Sequence, residues 1–120
     1  MVRRCPTEDE EQKALFEWAS HYPELRLMHA IPNGGKRNIQ TAVKLKATGV
    51  KAGVPDIFLP KAVGGFHGLY IELKRQVGGR VSEEQKQWLE ALSDEGYATA
   101  VCKGFAEAVA VIRRYINGVM

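Results

Sequence analysis

Two short runs with carboxylates set into them constrain this chain more than any other feature: Gly53-Val54-Pro55-Asp56-Ile57-Phe58-Leu59-Pro60 and, further on, Tyr70-Ile71-Glu72-Leu73-Lys74. Each reads as a strand, and the Gly-rich connection from Ala62 to Gly68 makes the two natural hairpin partners. Residues two apart in a strand share a face, so Glu72 and Lys74 stand side by side while Ile71 and Leu73 turn to the core. Pairing the strands brings together the carboxylates of Asp56 and Glu72, sixteen positions apart, with the Lys74 ammonium beside them. Like-charged carboxylates repel unless a hard divalent cation sits between them, and Mg²⁺ is commonly held by one or two carboxylates together with phosphate oxygens. The arrangement predicts a metal site suited to phosphodiester chemistry.

The charge distribution agrees with a polyanionic partner. The net charge is only +3, but between Leu25 and Ser82 there are ten basic residues and two acids, and those two acids are Asp56 and Glu72. The other twelve acids divide equally between the segments before and after. A polyanion can therefore approach the middle of the chain with little to repel it except the carboxylates that would carry a metal. Lysine-rich solvated helix faces would give a similar count, and it is the conjunction with the carboxylate pair that decides between the readings. At 120 residues the chain fits one domain with its own core. No apolar stretch approaches the ~20 residues of a membrane span and no apolar signal core opens the chain, so a soluble, intracellular protein is expected. Cys5 and Cys102 lie far apart and form no C-x-x-C pair, which signals neither zinc nor a disulfide framework.

Capping signals and periodicity place these strands among helices. Thr7 to Glu10 reads as a capping box opening a helix to about His21, with Leu15, Trp18, Ala19 and Tyr22 as its buried stripe. Glu8 and Gln12 continue the Leu15 and Ala19 face and are expected to point inward. Arg26 to Ile31 reads as a strand, Pro32 to Arg37 as a loop, and Asn38 as the cap of a helix ending near Thr48. Ser82 to Gln85 is a second capping box, opening a helix whose apolar face is Trp88, Leu89 and Leu92. A strand from Tyr97 to Cys102 and a helix marked by Phe105, Val109, Ile112 and Ile116 complete the order. The pattern predicts an α/β fold in which a small mixed β-sheet is flanked by helices.

Taken together, these blocks resemble the VRR-NUC (virus-type replication-repair nuclease) branch of the PD-(D/E)XK nucleases, which have a restriction-endonuclease-like core. The blocks are Glu8 with Gln12, Ile31-Pro32-Asn33-Gly34-Gly35 with Arg37, Gly53-Val54-Pro55-Asp56, Tyr70 to Lys74, and Ser82 with Gln85 and Trp88. A lone PD followed by ExK arises easily by chance; five blocks in order do not. The resemblance implies a Mg²⁺- or Mn²⁺-dependent DNA endonuclease. It implies that Asp56, Glu72 and the main-chain carbonyl of Leu73 hold the metal, with Glu8 as an additional ligand. Lys74 would orient or help deprotonate the attacking water, Gln85 would stand near that lysine, and Gln12 would support the ligands from behind.

Each assignment has a plainer counterpart. Asp56 after a proline can initiate a turn, and Glu72 with Lys74 can be a surface pair of little energetic weight. Glu8 can be one more dipole-favoured acid in a first turn that also holds Asp9, Glu10 and Glu11, and Gln12 and Gln85 can be helix-surface residues. His21, His29 and His67 show no ligand spacing. Asn33, Lys36 and Arg37 sit in a loop whose small residues and cations suit phosphate contact. Phe66 and Trp88 could stack on bases, although Trp88 on its apolar stripe is expected in the core. Free-standing members of the family about this size resemble phage or bacterial proteins acting on branched DNA, some of them homodimeric Holliday-junction resolvases. Flap or duplex cleavage, nicking, and non-catalytic DNA binding are the alternatives. Candidate dimer surface is Ile39, Val43 and Leu45 of the second helix with Tyr115, Ile116 and Val119 at the end of the last.

Overall fold

The structure is a computed structural model that describes residues 4–32 and 39–120. Its elements run α1 (Glu8–Ala19), a 3₁₀ turn (Pro23–Leu25), β1 (His29–Ala30), α2 (Ile39–Ala47), β2 (Ile57–Leu59), β3 (Leu69–Lys74), α3 (Glu83–Asp94), β4 (Ala98–Lys103) and α4 (Phe105–Ile116). The four strands form one sheet in sequence order, antiparallel from β1 to β3 and parallel between β3 and β4. A parallel neighbour needs a crossover, and α3 supplies it. β1 is shorter than expected: Pro23 opens a 3₁₀ turn, so only His29 and Ala30 of the expected Arg26–Ile31 strand pair with β2.

Both capping boxes form. Thr7 Oγ1 accepts the Glu10 N–H at 3.1 Å while the Glu10 carboxylate accepts the Thr7 N–H at 3.0 Å, and Arg4 grips the same carboxylate at 2.8 and 3.0 Å. That guanidinium, followed by the Thr7 contacts, holds Glu10 down to about 2. At α3, Ser82 Oγ accepts the Gln85 N–H at 3.1 Å and Gln85 Oε1 accepts the Ser82 N–H at 2.8 Å. Each box satisfies two of the orphan donors a helix start leaves open.

The sheet has two unlike faces because its residues alternate. Ile57, Leu59, Leu69, Ile71, Leu73 and Cys102 face a core completed by Leu15 and Ala19 of α1 and by Ala108, Ile112 and Tyr115 of α4. Burying each large aliphatic side chain stabilises the fold by about 1.5–3 kcal/mol, enough to fix the register of β3, where a slip of one residue would drive Glu72 into this apolar layer. The opposite face carries Asp56, Phe58, Tyr70, Glu72 and Lys74, and α3 lies over its β4 edge.

Two expectations about side chains change here. Tyr115 is not dimer surface: it is 1% exposed, and its hydroxyl donates to the Lys61 carbonyl at 2.5 Å, pinning the β2–β3 connection to α4. Trp88 is not core. α3 packs on β4, an edge strand, so the helix overhangs the sheet, no residue of it is fully buried, and Trp88 stays half-buried outside the core cluster. Of the other candidate interface residues, Val43 and Val119 are exposed and Ile116 is half-buried. Among the described residues, no helix is long and apolar enough to cross a membrane.

Candidate active site

The β2–β3 register decides what meets at the polar face. Ile57 lies opposite Ile71 and Phe58 opposite Tyr70, so one further step sets Asp56 against Glu72. The ladder ends there because Asp56 turns its side chain into it: Oδ2 accepts the Leu73 N–H at 2.8 Å. Buried Pro55 fixes the backbone before it, and Gly53 takes φ +93 in contact with the backbone of Glu84 in α3, a conformation and an approach that a side chain would obstruct. Asp56, Glu72 and Lys74 are thus held from rigid strands, with Gln85 delivered by the first turn of α3.

Glu72 is the centre of the arrangement. It is 1% exposed, its Oε1 accepts from Gln85 Nε2 at 2.5 Å, and the Lys74 ammonium stands 3.6 Å from the same oxygen. Its other oxygen, Oε2, is buried and has no hydrogen-bond partner among the described residues. A buried carboxylate oxygen left unpaired carries the full cost of its desolvation, and such groups call for an ion or a proton. Burial first, and then the charge of Asp56, push Glu72 up to about 7 against the counter-effect of Lys74. Burial also raises Asp56, opposed by its Leu73 hydrogen bond and reinforced by Glu8. Two neighbouring carboxyls that both resist ionisation are chemically suited to a hard divalent cation, whose charge would favour their ionised forms.

The donor chemistry fits Mg²⁺ or Mn²⁺ in a particular way. Among the described residues no three His, Cys, Asp or Glu side chains form a ligand cluster. Mg²⁺ is commonly bound by one or two carboxylates with the remaining positions filled by water and phosphate oxygens, and Asp56 and Glu72 are donors of that kind. Glu8 is exposed, not inward-facing as its spacing predicts, yet it is close enough for its charge to raise both Asp56 and Glu72. Gln12 is half-buried and likewise does not enter the core. The residue of α1 that does turn inward is Glu11, 5% exposed. Its Oε2 accepts the Phe105 N–H at 3.0 Å and its carboxylate takes Gln76 Nε2 at 3.1 and 3.3 Å. It thereby caps α4, whose own N-cap Gly104 has no side chain to do so. Asn33, Lys36 and Arg37 lie outside the described residues. Beside the carboxylates on the same face, Phe58 stacks on Tyr70 with ring centres 4.2 Å apart, and Tyr97 meets both edge-on.

A small mixed sheet with a carboxylate on each of two adjacent antiparallel strands, a lysine two residues beyond the second, and helices on both sides is a PD-(D/E)XK-type nuclease fold. The chain belongs to the VRR-NUC family: the model of the VRR-NUC domain matches residues 2–106. A solved structure titled "VRR_NUC domain protein" is similar to it, with a TM-score of 0.84 and 34% identity over 96% of this chain and 92% of that one. No curated protein matches the chain. Membership makes this a nuclease of the PD-(D/E)XK kind, a class that binds DNA and generally uses divalent metal ions.

Proposed function

We propose that the chain is a Mg²⁺- or Mn²⁺-dependent DNA endonuclease acting on branched DNA, four-way junctions foremost, as a homodimer. The observation that carries the catalytic reading is the buried Glu72 carboxylate, one oxygen unpaired, opposite Asp56 and beside Lys74. Asp56, Glu72 and the Leu73 carbonyl would hold the metal, with Glu8 adding charge at the edge. When bound, the metal would act as a Lewis acid on the phosphate and favour ionised water. The Lys74 ammonium would orient the attacking water and steady charge building on the phosphate, while Gln85 holds Oε1 of Glu72 and so leaves Oε2 as the oxygen that would be available to a metal.

Junction preference rests on the family resemblance and on symmetry: a junction needs two matched incisions, and a two-fold dimer supplies two sites. Asn33, Lys36 and Arg37 contact phosphate in this reading, so replacing the two cations with alanine lowers the log–log salt slope of binding by about 2. The test is cleavage of four-way junction, flap, nicked, single-stranded and plain duplex DNA, each with Mg²⁺, Mn²⁺, Ca²⁺ or chelator, read at nucleotide resolution, with sedimentation for the dimer. Paired symmetric cuts in the junction support the proposal. Cleavage of flaps or duplex at equal rates, or a monomer throughout, replaces it with a less selective nuclease.

A further inference from the structure

Trp88 lines an open groove of about 440 Å³ with Lys51, Ala52, Glu84, Gln87 and Ala91. Both walls lead into the candidate active site. On the loop side, Lys51 and Ala52 run through Gly53 to Asp56, and Gly53 lies so close to α3 that an added Cβ would stand 2.9 Å from the Glu84 backbone. On the helix side, Gln85 comes directly after Glu84, and its amide reaches Glu72. Side chains three apart on a helix have their Cβ atoms about 5–6 Å from each other, so Trp88 leaves α3 one turn beyond Gln85, the residue whose amide reaches Glu72.

We infer that this groove seats an unpaired nucleobase next to the scissile phosphate, stacked on Trp88. The inference rests on the nuclease reading above and adds to it the state of the substrate at the cut. An indole accepts the face of any base. Gln87 offers a donor and an acceptor to the base edge, and Glu84 accepts from an exocyclic amine. The Glu84 carboxylate also disfavours a phosphate inside the groove, whereas Lys51 favours one alongside it, which selects the base as occupant and leaves the backbone at the rim. A base inside a continuous duplex has both faces covered by its neighbours, so an occupant must be unstacked, as at a branch, bulge or single-strand junction.

The chain has two tryptophans, so Trp18→Phe leaves Trp88 as the sole indole reporter. In Ca²⁺, this protein is titrated with a duplex carrying one unpaired nucleotide, with the same duplex carrying an abasic residue there, and with a fully paired duplex, binding being followed by anisotropy of a labelled strand. The unpaired base should quench the indole and the abasic residue should not. In the otherwise unaltered chain, Trp88→Ala should weaken binding of the bulged duplex about tenfold and erase its advantage over the abasic one, while Trp88→Phe keeps most of that advantage. DNA bound with unchanged indole emission, or discrimination that survives Trp88→Ala, would overturn the base seat and leave the nuclease reading standing. Emission that follows protein concentration without DNA would assign the groove to a second copy of the chain and overturn it as well. Failure to bind any of the three DNAs would overturn this inference alone, since the nuclease reading is decided by cleavage of the four-way junction.

Discussion

Gln85 on α3 and Glu72 on β3 are joined by a hydrogen bond of 2.5 Å, and the same glutamine closes the capping box of its own helix through Ser82. One side chain thus sets where α3 begins and how the central carboxylate is aimed. The two roles use different atoms, Oε1 for the cap and Nε2 for Glu72, so they can be separated.

Gln85→Glu keeps an acceptor for the Ser82 N–H but removes the donor to Glu72 and adds a third carboxylate. The cap survives, but two carboxylates meet where an amide donated to a buried one, so stability in chelator at neutral pH should fall by about 1–3 kcal/mol. Cleavage should fall about tenfold or more, the scale of losing a hydrogen bond to a charged group. Gln85→Ala should lose cap and donor together. Thermal melts and single-turnover rates measured side by side decide this, and a Gln85→Glu protein that cleaves at the parent rate would reduce the residue to a helix cap.

Glu72 gives the metal-free protein a pH dependence of definite sign. Its pKa rises from 4.5 to about 7 on folding, so the folded state holds the proton more tightly. The stability from the neutral carboxyl is complete below 4.5 and is lost as pH rises through about 7. At about 1.4 kcal/mol per pKa unit, the loss is roughly 3 kcal/mol. Urea melts in chelator should show it, Glu72→Gln should flatten it, and Mn²⁺ should restore stability at the alkaline end. Stability equally dependent on pH in the parent and in Glu72→Gln would contradict the assignment.

Glu11 predicts a structural effect without a catalytic one. Glu11→Ala strands the Phe105 N–H and the Gln76 amide and should cost about 2–3 kcal/mol. Glu11→Gln keeps an acceptor and loses mainly the favourable charge at the start of α4, about 1 kcal/mol. Denaturant unfolding checks both, and cleavage at saturating DNA should hardly change. A Glu11→Ala protein as stable as its parent would remove α1 as the source of the α4 cap.

How much of this could be read in the chain depends on how local each cause is. Capping boxes act over three residues, and both are legible in Thr7 to Glu10 and Ser82 to Gln85. The hairpin of β2 and β3 was legible because alternation on β3 fixes which face Glu72 takes, and the Asp56 position follows from the short Gly-rich connection. The phase of α1 was not legible. Steps of three and of four are both helical, and the observed inward row is Glu11, Leu15 and Ala19, not one through Gln12 and Glu8. A glutamate in a first turn reads as solvent-facing until its partner is known, and that partner is the backbone of Phe105, ninety-four residues away. Trp88 misled for a related reason: an apolar stripe shows which side of a helix is greasy, not whether the strand beneath it is central or at the edge of the sheet.

In the proposed function, Asp56 and Glu72 together hold the metal on which DNA cleavage depends. Single-turnover cleavage of a labelled four-way junction by the parent and by Asp56→Asn, in Mg²⁺ and in chelator, tests it most directly, with binding in Ca²⁺ measured alongside. Cleavage by the parent is expected only with Mg²⁺, with a loss of at least about 10²–10³-fold in Asp56→Asn and unchanged binding. Cleavage by the parent in chelator, or near-parent rates from nuclease-free Asp56→Asn, would contradict it.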